Sequence, residues 1–195
     1  MAGGTPSLYP RSLLDNPVEA GDYASPFFLA EGGSASWWLC RTRSRQEKVV
    51  AQHLLARQIP FYLPLVKRMS LSRGRARAAH VPLFPGYVFV FGDSSQRQMA
   101  LESNRLAHVL PVHDGEQLRY DLAQIGQLIA CEAPLATYER LAVGERVRVR
   151  AGVFEGLEGT VIRRHGKSEL AVSVNCLQQG ALLEIADYLL ETIES

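Results

Sequence analysis

The 195-residue sequence has few cysteines and no long apolar run, and each lack removes a class of protein. Its three cysteines, Cys40, Cys131 and Cys176, lie far apart without C-x-x-C spacing, which argues against a disulfide framework and against a zinc knuckle. The longest nearly uncharged stretches are about ten residues, well short of the roughly 20 apolar residues that a membrane span needs. Residues 1–35 lack the basic start and apolar core of a signal peptide, so we expect a cytoplasmic protein.

The sequence also lacks the motifs of catalysis. The five histidines show no H-E-x-x-H or other ligand spacing, and Cys40 has no evident base. Gly152, Gly156 and Gly159 are not followed by the G-K-[ST] ending of a phosphate-binding loop. We therefore expect a protein that is not an enzyme and has no cofactor or metal.

Charge is distributed unevenly along the chain, although the net charge is only +1. Residues 41–80 contain ten Lys or Arg against Glu47 alone, a balance of +9, whereas residues 143–195 contain six basic and eight acidic residues, a balance of −2. This asymmetry predicts two modules, the first near a polyanion and the second against protein. A merely solvated basic face is the alternative that charge alone leaves open.

The first half of the chain begins with a segment rich in Pro, Gly, Ser and Ala, residues 1–34, which we expect to be a mostly disordered leader. Residues 37–42 then predict a strand, and Ser44 with Glu47 predicts a capping box. The helix that follows should direct apolar residues toward a core and end at Pro60. These apolar residues are Val50, Leu54 and Leu55.

An apolar strand, "PLFPGYVFVF" at 82–91, lies between an Arg-rich segment and a second helix. "FYLPLV" before it predicts an edge strand, and the following "KRMSLSRGRARAAH" predicts a loop. Asp93, Ser94 or Ser95 should cap the second helix, a strand is expected at 107–112, and a third helix should end near Ala133. The order β-α-β-β-α-β predicts an α+β fold, a ferredoxin-like split βαβ sandwich.

The C-terminal part changes character after the predicted linker, residues 134–142. Alternating β-branched residues such as Val147 and Val149, and Gly-containing turns, predict five short strands within 143–195. Five short strands favour a small closed barrel, because closure removes free strand edges. The predicted domains are therefore 35–133 and 143–195.

Three motifs in this order resemble the NusG family of transcription elongation factors: "WWLCRTRSRQEK", "PLFPGYVFV" and "GERVRVRAGVFEGLEGTV". The last is similar to a KOW motif, with Gly152, Gly156 and Gly159 as its glycines. The resemblance implies an NGN domain at 35–133 and a five-stranded SH3-like KOW barrel at 143–195. The compact C-terminal ending resembles specialised paralogues that relieve pausing or termination in long operons.

The family resemblance implies that the NGN domain docks on the clamp helices of the largest RNA polymerase subunit. Strand alternation should place Phe84, Gly86 and Val88 on one face of the apolar strand and Tyr87 on the other, so that one face packs on helices and the other receives a partner. The residues that match the polymerase-binding positions are Trp37, Trp38, Phe84, Pro85, Gly86, Tyr87 and Val88.

The same resemblance implies nucleic-acid contacts, with upstream DNA or the non-template strand as the partner. The candidates are Arg43, Arg45, Arg73, Arg75, Arg77, Arg97, Gln98 and Arg105.

In the KOW part, Phe154 and Leu157 match the contact to a small-subunit ribosomal protein or to Rho, although general elongation factors tend to have an aromatic at Leu157. We expect a monomer. The rival class, a KOW-type ribosomal or RNA-binding protein, predicts a basic barrel, contrary to the −2 balance.

Overall fold

The computed structural model describes residues 7–15, 35–72, 75–132, 135–138, 144–164, 167–186 and 189–193. Within these residues the chain is a mixed α+β protein with three α-helices. The chain divides into two compact units, one formed by Met1–Leu65 with Phe84–Glu116 and the other by Val66–Leu83 with Gln117–Ser195. No helix in the described part of the chain is long and apolar enough to cross a membrane.

The strands and helices follow one another in a simple order along the chain. They are β1 (Leu8–Tyr9), β2 (Ser36–Thr42), α1 (Glu47–Ala56), β3 (Phe61–Tyr62), β4 (Leu65–Ser72), β5 (Arg75–Pro82), β6 (Tyr87–Gly92), α2 (Ser94–Leu101), β7 (Leu106–Pro111), α3 (Gly115–Ala130), β8 (Ala136–Tyr138), β9 (Glu145–Val149), β10 (Glu158–Arg164), β11 (Lys167–Val174), β12 (Gln179–Glu184) and β13 (Leu190–Thr192).

The sheet of the first unit has the strand order β1-β3-β6-β2-β7, and all of its neighbouring strands are antiparallel. Strands β2 and β3 both pair with β6 and therefore run parallel to each other, with α1 as their connection. Likewise β6 and β7 both pair with β2 and are connected by α2. This connectivity is the split βαβ arrangement that the sequence predicts.

One face of this sheet packs on α1 and α2, as predicted. Val88 and Val90 of β6 form a buried cluster with Val50 and Leu54 of α1 and with Ala100 of α2. The prediction for Leu55 is wrong, since its side chain is 37% exposed. Leu55 lies one residue beyond Leu54, about 100° further around a helix of 3.6 residues per turn, and so points away from the sheet.

The predicted capping box at the start of α1 is also wrong. The helix begins at Glu47, and Gln46 at its N-cap makes no side-chain capping hydrogen bond. The Glu47 carboxylate instead accepts a hydrogen bond from the backbone N–H of Gly86, at 2.7 Å. The side chain is therefore committed to the turn before β6 and does not serve its own helix.

The Arg-rich segment is not the loop that its composition predicts, because β4 and β5 form a two-stranded sheet. Backbone pairing does not require apolar side chains, so an Arg- and Ser-rich sequence can form strands despite its loop-like composition. We call the two strands, Leu65–Ser72 and Arg75–Pro82, the basic ribbon.

Part of the expected leader is structured. Strand β1 pairs with β3, and Leu13 and Leu14 of the following 3-10 helix are buried. The prediction of disorder is therefore wrong for residues 7–15, because Leu13 and Leu14 are buried in the fold. Residues 1–6 and 16–34 lie outside the described residues.

The second unit contains a sheet of strand order β13-β9-β10-β11-β12-β8, antiparallel throughout. The five strands predicted for 143–195 are all present. Strand β8 is an addition, since residues 136–138 of the predicted linker pair with β12.

Helix α3 belongs with these strands from Gln117 onward, whereas the sequence places it with the N-terminal domain. Asp121, which is 4% exposed, accepts the N–H of Asn175 at 2.9 Å, and Gln124 accepts the N–H of Glu158 at 2.6 Å. The helix thus supplies acceptors to backbone groups of the second unit. The boundaries at 133 and 143 stay predictions.

The predicted cap of α2 is present and generates a test. Asp93 accepts the N–H of Gln96 at 2.9 Å, and the Gln96 side chain accepts the N–H of Asp93 at 3.1 Å. The hydrogen bond from the Gln96 N–H, together with one from the Ser95 hydroxyl at 2.7 Å, holds the pKa of Asp93 below its ordinary value of 3.8. Because the folded pKa is lowered, the stabilisation is complete above the ordinary pKa and is lost as the pH falls through the folded one.

We expect Asp93→Ala to lower the free energy of unfolding by about 1 kcal/mol at neutral pH. Urea unfolding followed by circular dichroism should show this difference, and the difference should narrow in acid as the wild-type carboxylate is protonated. Ser94→Ala at the exposed next position is the control and should change little. An Asp93→Ala effect of equal size at neutral and acid pH would contradict the account.

Candidate polymerase surface and nucleic-acid interface

The single strand predicted at 82–91 is wrong in its first part, because β6 begins at Tyr87 and the Tyr87 N–H donates to the Phe84 carbonyl at 3.3 Å, which closes a turn. Hydrogen bonds from two neighbouring elements fix this turn. Gly86 has φ +85°, and a Cβ there would meet nothing within 4 Å, so glycine is required by the backbone conformation and not by space. Its N–H is bound by Glu47, and its carbonyl accepts the N–H of Thr42 at 2.8 Å. The turn is therefore held to the start of α1 and to the end of β2.

Three of the seven predicted polymerase-binding residues are buried. Phe84 is 1% exposed and lies edge-on to Phe89, with ring centroids 6.4 Å apart. Trp37 is 4% exposed, with its ring centroid 5.3 Å from that of Phe91, and Val88 is fully buried. These three side chains are therefore not presented to a partner in this structure. Phe84 lies in the turn, whereas Trp37 pairs with Phe91 near the far end of β6.

Three of the four accessible residues of the set are at the turn itself, and the fourth, Trp38, is partly exposed on β2. Pro85 is exposed, and Gly86 and Tyr87 are partly exposed. The candidate surface is therefore smaller than the sequence predicts and centres on Pro85–Tyr87.

The two adjacent tryptophans lie on opposite faces of the sheet. Trp37 of β2 pairs with Phe91 of β6, whereas the next residue, Trp38, pairs with Val90. Val90 belongs to the buried cluster between the sheet and the helices α1 and α2. Successive strand residues point to opposite faces, so the two rings cannot belong to one flat surface. Trp38 packs on the helix side, and its indole N–H donates to the carbonyl of Gly92 at 3.1 Å.

Arg97 of α2 stacks on Trp38, with its guanidinium carbon 5.1 Å from the ring centroid. This is the geometry of a cation–π contact. The Arg97 Nε is buried and has no hydrogen-bond partner within the described residues. Arg97 is thus held in place and is not a freely solvated surface arginine, while its neighbour Gln98 is exposed.

The remaining basic candidates fall into separate groups. The N–H of Arg43 donates to the carbonyl of Arg105 at 2.8 Å, so the structure brings these two exposed residues together, and exposed Arg45 follows in the same loop. Arg77 lies exposed on β5. Arg73 lies outside the described residues, and of Arg75 the structure describes only the backbone, in β5.

The two KOW candidates differ sharply in burial. Leu157 is 1% exposed, and its carbonyl accepts the N–H of Val149 at 2.8 Å. Phe154 is half-buried, and its carbonyl accepts the N–H of Leu157 at 3.0 Å. Leu157 is a core residue in this structure, so Phe154 is the more accessible of the pair.

The most buried thiol does not provide a nucleophile. Burial raises the pKa of Cys40 to about 12, an effect that the nearby positive charge of Arg97 opposes only in part. The thiol is therefore protonated at neutral pH and lacks the thiolate character of a catalytic cysteine.

The described residues combine a split βαβ sandwich with a turn fixed by hydrogen bonds and with exposed arginines, an arrangement that suits binding. The family model described as transcription termination factor NusG matches residues 35–118, which span β2 to the first turn of α3. Residues 35–118 therefore belong to the NusG family, whose members are transcription elongation factors and not enzymes.

Solved structures of related description are also similar to the chain. NusG of Thermotoga maritima, from a structure on domain interaction, has 18% identity over 83% of this chain and 98% of that chain, with a TM-score of 0.44. The MjSpt4:Spt5 complex in conformation A has 18% identity over 82% of this chain and 99% of that chain, with a TM-score of 0.27. Comparison with curated proteins finds no significant match.

Sequence reasoning missed the part that Glu47 plays in the site. One signal was available, since Glu47 is the single acid among ten basic residues at 41–80. A lone carboxylate in a basic segment suggests a fixed local partner, but only the fold shows that this partner is the Gly86 N–H, 39 residues away.

We expect Glu47→Ala to lower the free energy of unfolding by about 1–3 kcal/mol, because it leaves the Gly86 N–H without its acceptor in a partly buried place. Glu47→Gln is the matched control, since its side-chain carbonyl can still accept this hydrogen bond. Urea unfolding of the two variants should separate them clearly. Equal stability of Glu47→Ala and Glu47→Gln would mean that the hydrogen bond does not hold the turn.

Proposed function

We propose that this chain is a specialised NusG-family factor that docks on the clamp helices of the largest RNA polymerase subunit and suppresses pausing or termination. The observation that carries the proposal is the coincidence of the family match, residues 35–118, with the sandwich that fixes the Phe84–Tyr87 turn. The proposal assigns the polymerase contact to the NGN domain.

The burial pattern narrows the proposed docking site. Pro85, Gly86 and Tyr87 supply the contact, while Phe84 supports the turn from inside, and Trp37 packs on Phe91 near the other end of β6. An aromatic side chain on a rigid backbone makes a good interface anchor, because little conformational freedom remains to be lost on binding. Trp38 acts from the helix side as the platform for Arg97.

We further propose that the exposed arginines of the NGN domain contact upstream DNA or the non-template strand. Arg43, Arg45 and Arg105 are grouped at one end of the sheet and suit phosphate contacts, which gain from counterion release. Arg97 is oriented by its stacking on Trp38, and exposed Gln98 lies beside it in the chain. Such fixed side chains suit a contact to unpaired bases.

The C-terminal strands are proposed to form the KOW domain, an SH3-like barrel that contacts a small-subunit ribosomal protein or Rho. Phe154 is the proposed contact residue, and Leu157 anchors its turn in the core. The rival function, a KOW-type ribosomal or RNA-binding protein, is less favoured because the module has a balance of −2.

We expect Tyr87→Ala to weaken capture of core RNA polymerase by about 30-fold, the effect of losing an anchor worth about 2 kcal/mol. The measurement is a pull-down titration of polymerase by the full chain. Leu55→Ala is the matched control, because Leu55 is an exposed apolar residue on the helix side. Phe84→Ala is unsuitable, since it removes a core side chain.

Folding of both variants is checked by circular dichroism. Undiminished capture of polymerase by a folded Tyr87→Ala protein would remove the turn from the docking site. Failure of the intact chain to capture polymerase would overturn the proposed function itself.

The burial of the two KOW candidates predicts opposite effects of alanine substitution. Leu157→Ala should lower the free energy of unfolding by about 2–5 kcal/mol, since it opens a cavity in the core. Phe154→Ala should leave stability nearly unchanged and weaken binding to the isolated ribosomal subunit or to Rho. Thermal unfolding and binding titrations measure the two effects, and a Phe154→Ala protein that binds both partners normally would contradict the assignment.

A further inference from the structure

The basic ribbon is solvent-exposed along much of its length. The side chains of Lys67, Arg68 and Met69 on β4 are exposed, with Met69 65% exposed, and so are residues 76–80 on β5. Because successive strand residues point to opposite faces, both faces of the ribbon are open there. A two-stranded ribbon gains little stability by itself in water, so an exposed one suggests a bound partner.

The charge of the ribbon indicates which kind of partner fits. Residues 65–82 contain five Lys or Arg and no acid, and the chain has no Asp or Glu between Glu47 and Asp93. Within the described residues, Lys67, Arg68 and Arg77 form no ion pair. The positive charge is therefore uncompensated by the protein, which favours a polyanion as the partner.

The residue types on the ribbon indicate the form of the nucleic acid. Residues 65–82 contain no Phe, Tyr or Trp, and so lack the rings on which unpaired bases stack. The major groove of B-form DNA, about 12 Å wide, admits a two-stranded β-ribbon. The major groove of A-form RNA is too narrow for side chains to read.

We propose that the basic ribbon binds duplex DNA in its major groove. Lys67 and Arg68, which point to opposite faces of β4, and Arg77 on β5 contact backbone phosphates on the two sides of the groove. This inference rests on the proposed nucleic-acid contact of the chain and gives it a specific ligand, B-form duplex. In this proposal the ribbon binds duplex DNA, and the region of Arg97 binds unpaired bases.

The test measures binding of the full chain to free nucleic acid, without polymerase. Fluorescence anisotropy is recorded for a short DNA duplex, for one of its single strands and for an RNA duplex of the same sequence, each over a series of salt concentrations. We expect the tightest binding to the DNA duplex. The logarithm of the binding constant should fall linearly with the logarithm of salt concentration.

The triple variant Lys67→Gln, Arg68→Gln, Arg77→Gln should weaken duplex binding more than tenfold at low salt. Its salt slope should fall by about 0.9 for each of the three residues that contacts a phosphate. The matched control is Arg11→Gln, Lys48→Gln, Arg150→Gln, which removes the same charge outside the ribbon. Equal weakening by the control would show an effect of net charge and would overturn the proposal, as would tighter binding to the single strand or to the RNA duplex.

Capture of polymerase is also measured with the triple ribbon variant. This measurement distinguishes the ribbon proposal from the proposal that the chain docks on polymerase. We expect the ribbon variant to retain polymerase as Leu55→Ala does. Loss of duplex binding with normal polymerase capture supports the ribbon proposal. Weak duplex binding by the intact chain, while it still captures polymerase, overturns the ribbon proposal and leaves the docking proposal in place.

Discussion

The hydrogen bond between the Glu47 carboxylate and the Gly86 N–H is the contact on which the proposed surface depends. Gly86 adopts a backbone conformation that few other residues tolerate, and its two polar groups are bound by α1 and by β2. The turn therefore cannot move without breaking contacts at two other elements. Since Glu47 is also the first residue of α1, the helix position and the turn position are set together.

The two faces of β2 in the first unit carry different contacts. Trp37 contributes to the interior near β6, and Trp38 provides a ring for Arg97 beside α2. The two adjacent tryptophans thus pack on opposite faces of the sheet, one against Phe91 and the other against Arg97. Packing on both faces restricts the movement of the sheet, which suits the protein and nucleic-acid contacts proposed for this domain.

Much of the fold follows from the sequence, because hydrophobic periodicity and strand order are local signals. The strand of Trp37, the helix of Val50 and Leu54, and the cap at Asp93 were all predictable in this way. The hydrogen bond of Glu47 was not, since its partner lies 39 residues away. The motif around Phe84 predicted a continuous strand at 82–91, whereas β6 begins only at Tyr87. Burial, which decides which side chains of this segment a partner can touch, depends on the whole fold.

Composition was the least reliable guide. An Arg- and Ser-rich segment suggested a loop, yet strand pairing depends on backbone groups that every residue other than proline carries in full. In the same way, the linker composition of residues 134–142 gave no sign of the pairing of β8 with β12.

The basic ribbon has a consequence for the behaviour of the chain in the absence of any partner. Within the described residues, β4 and β5 pair only with each other, so each strand has one unpaired edge. Such edges are templates for pairing with a second chain, and Lys or Arg side chains oppose that pairing by electrostatic repulsion. The positive charge of the ribbon therefore also protects the protein against self-association through β-edges, a protection that a bound polyanion would cancel while covering the same strands.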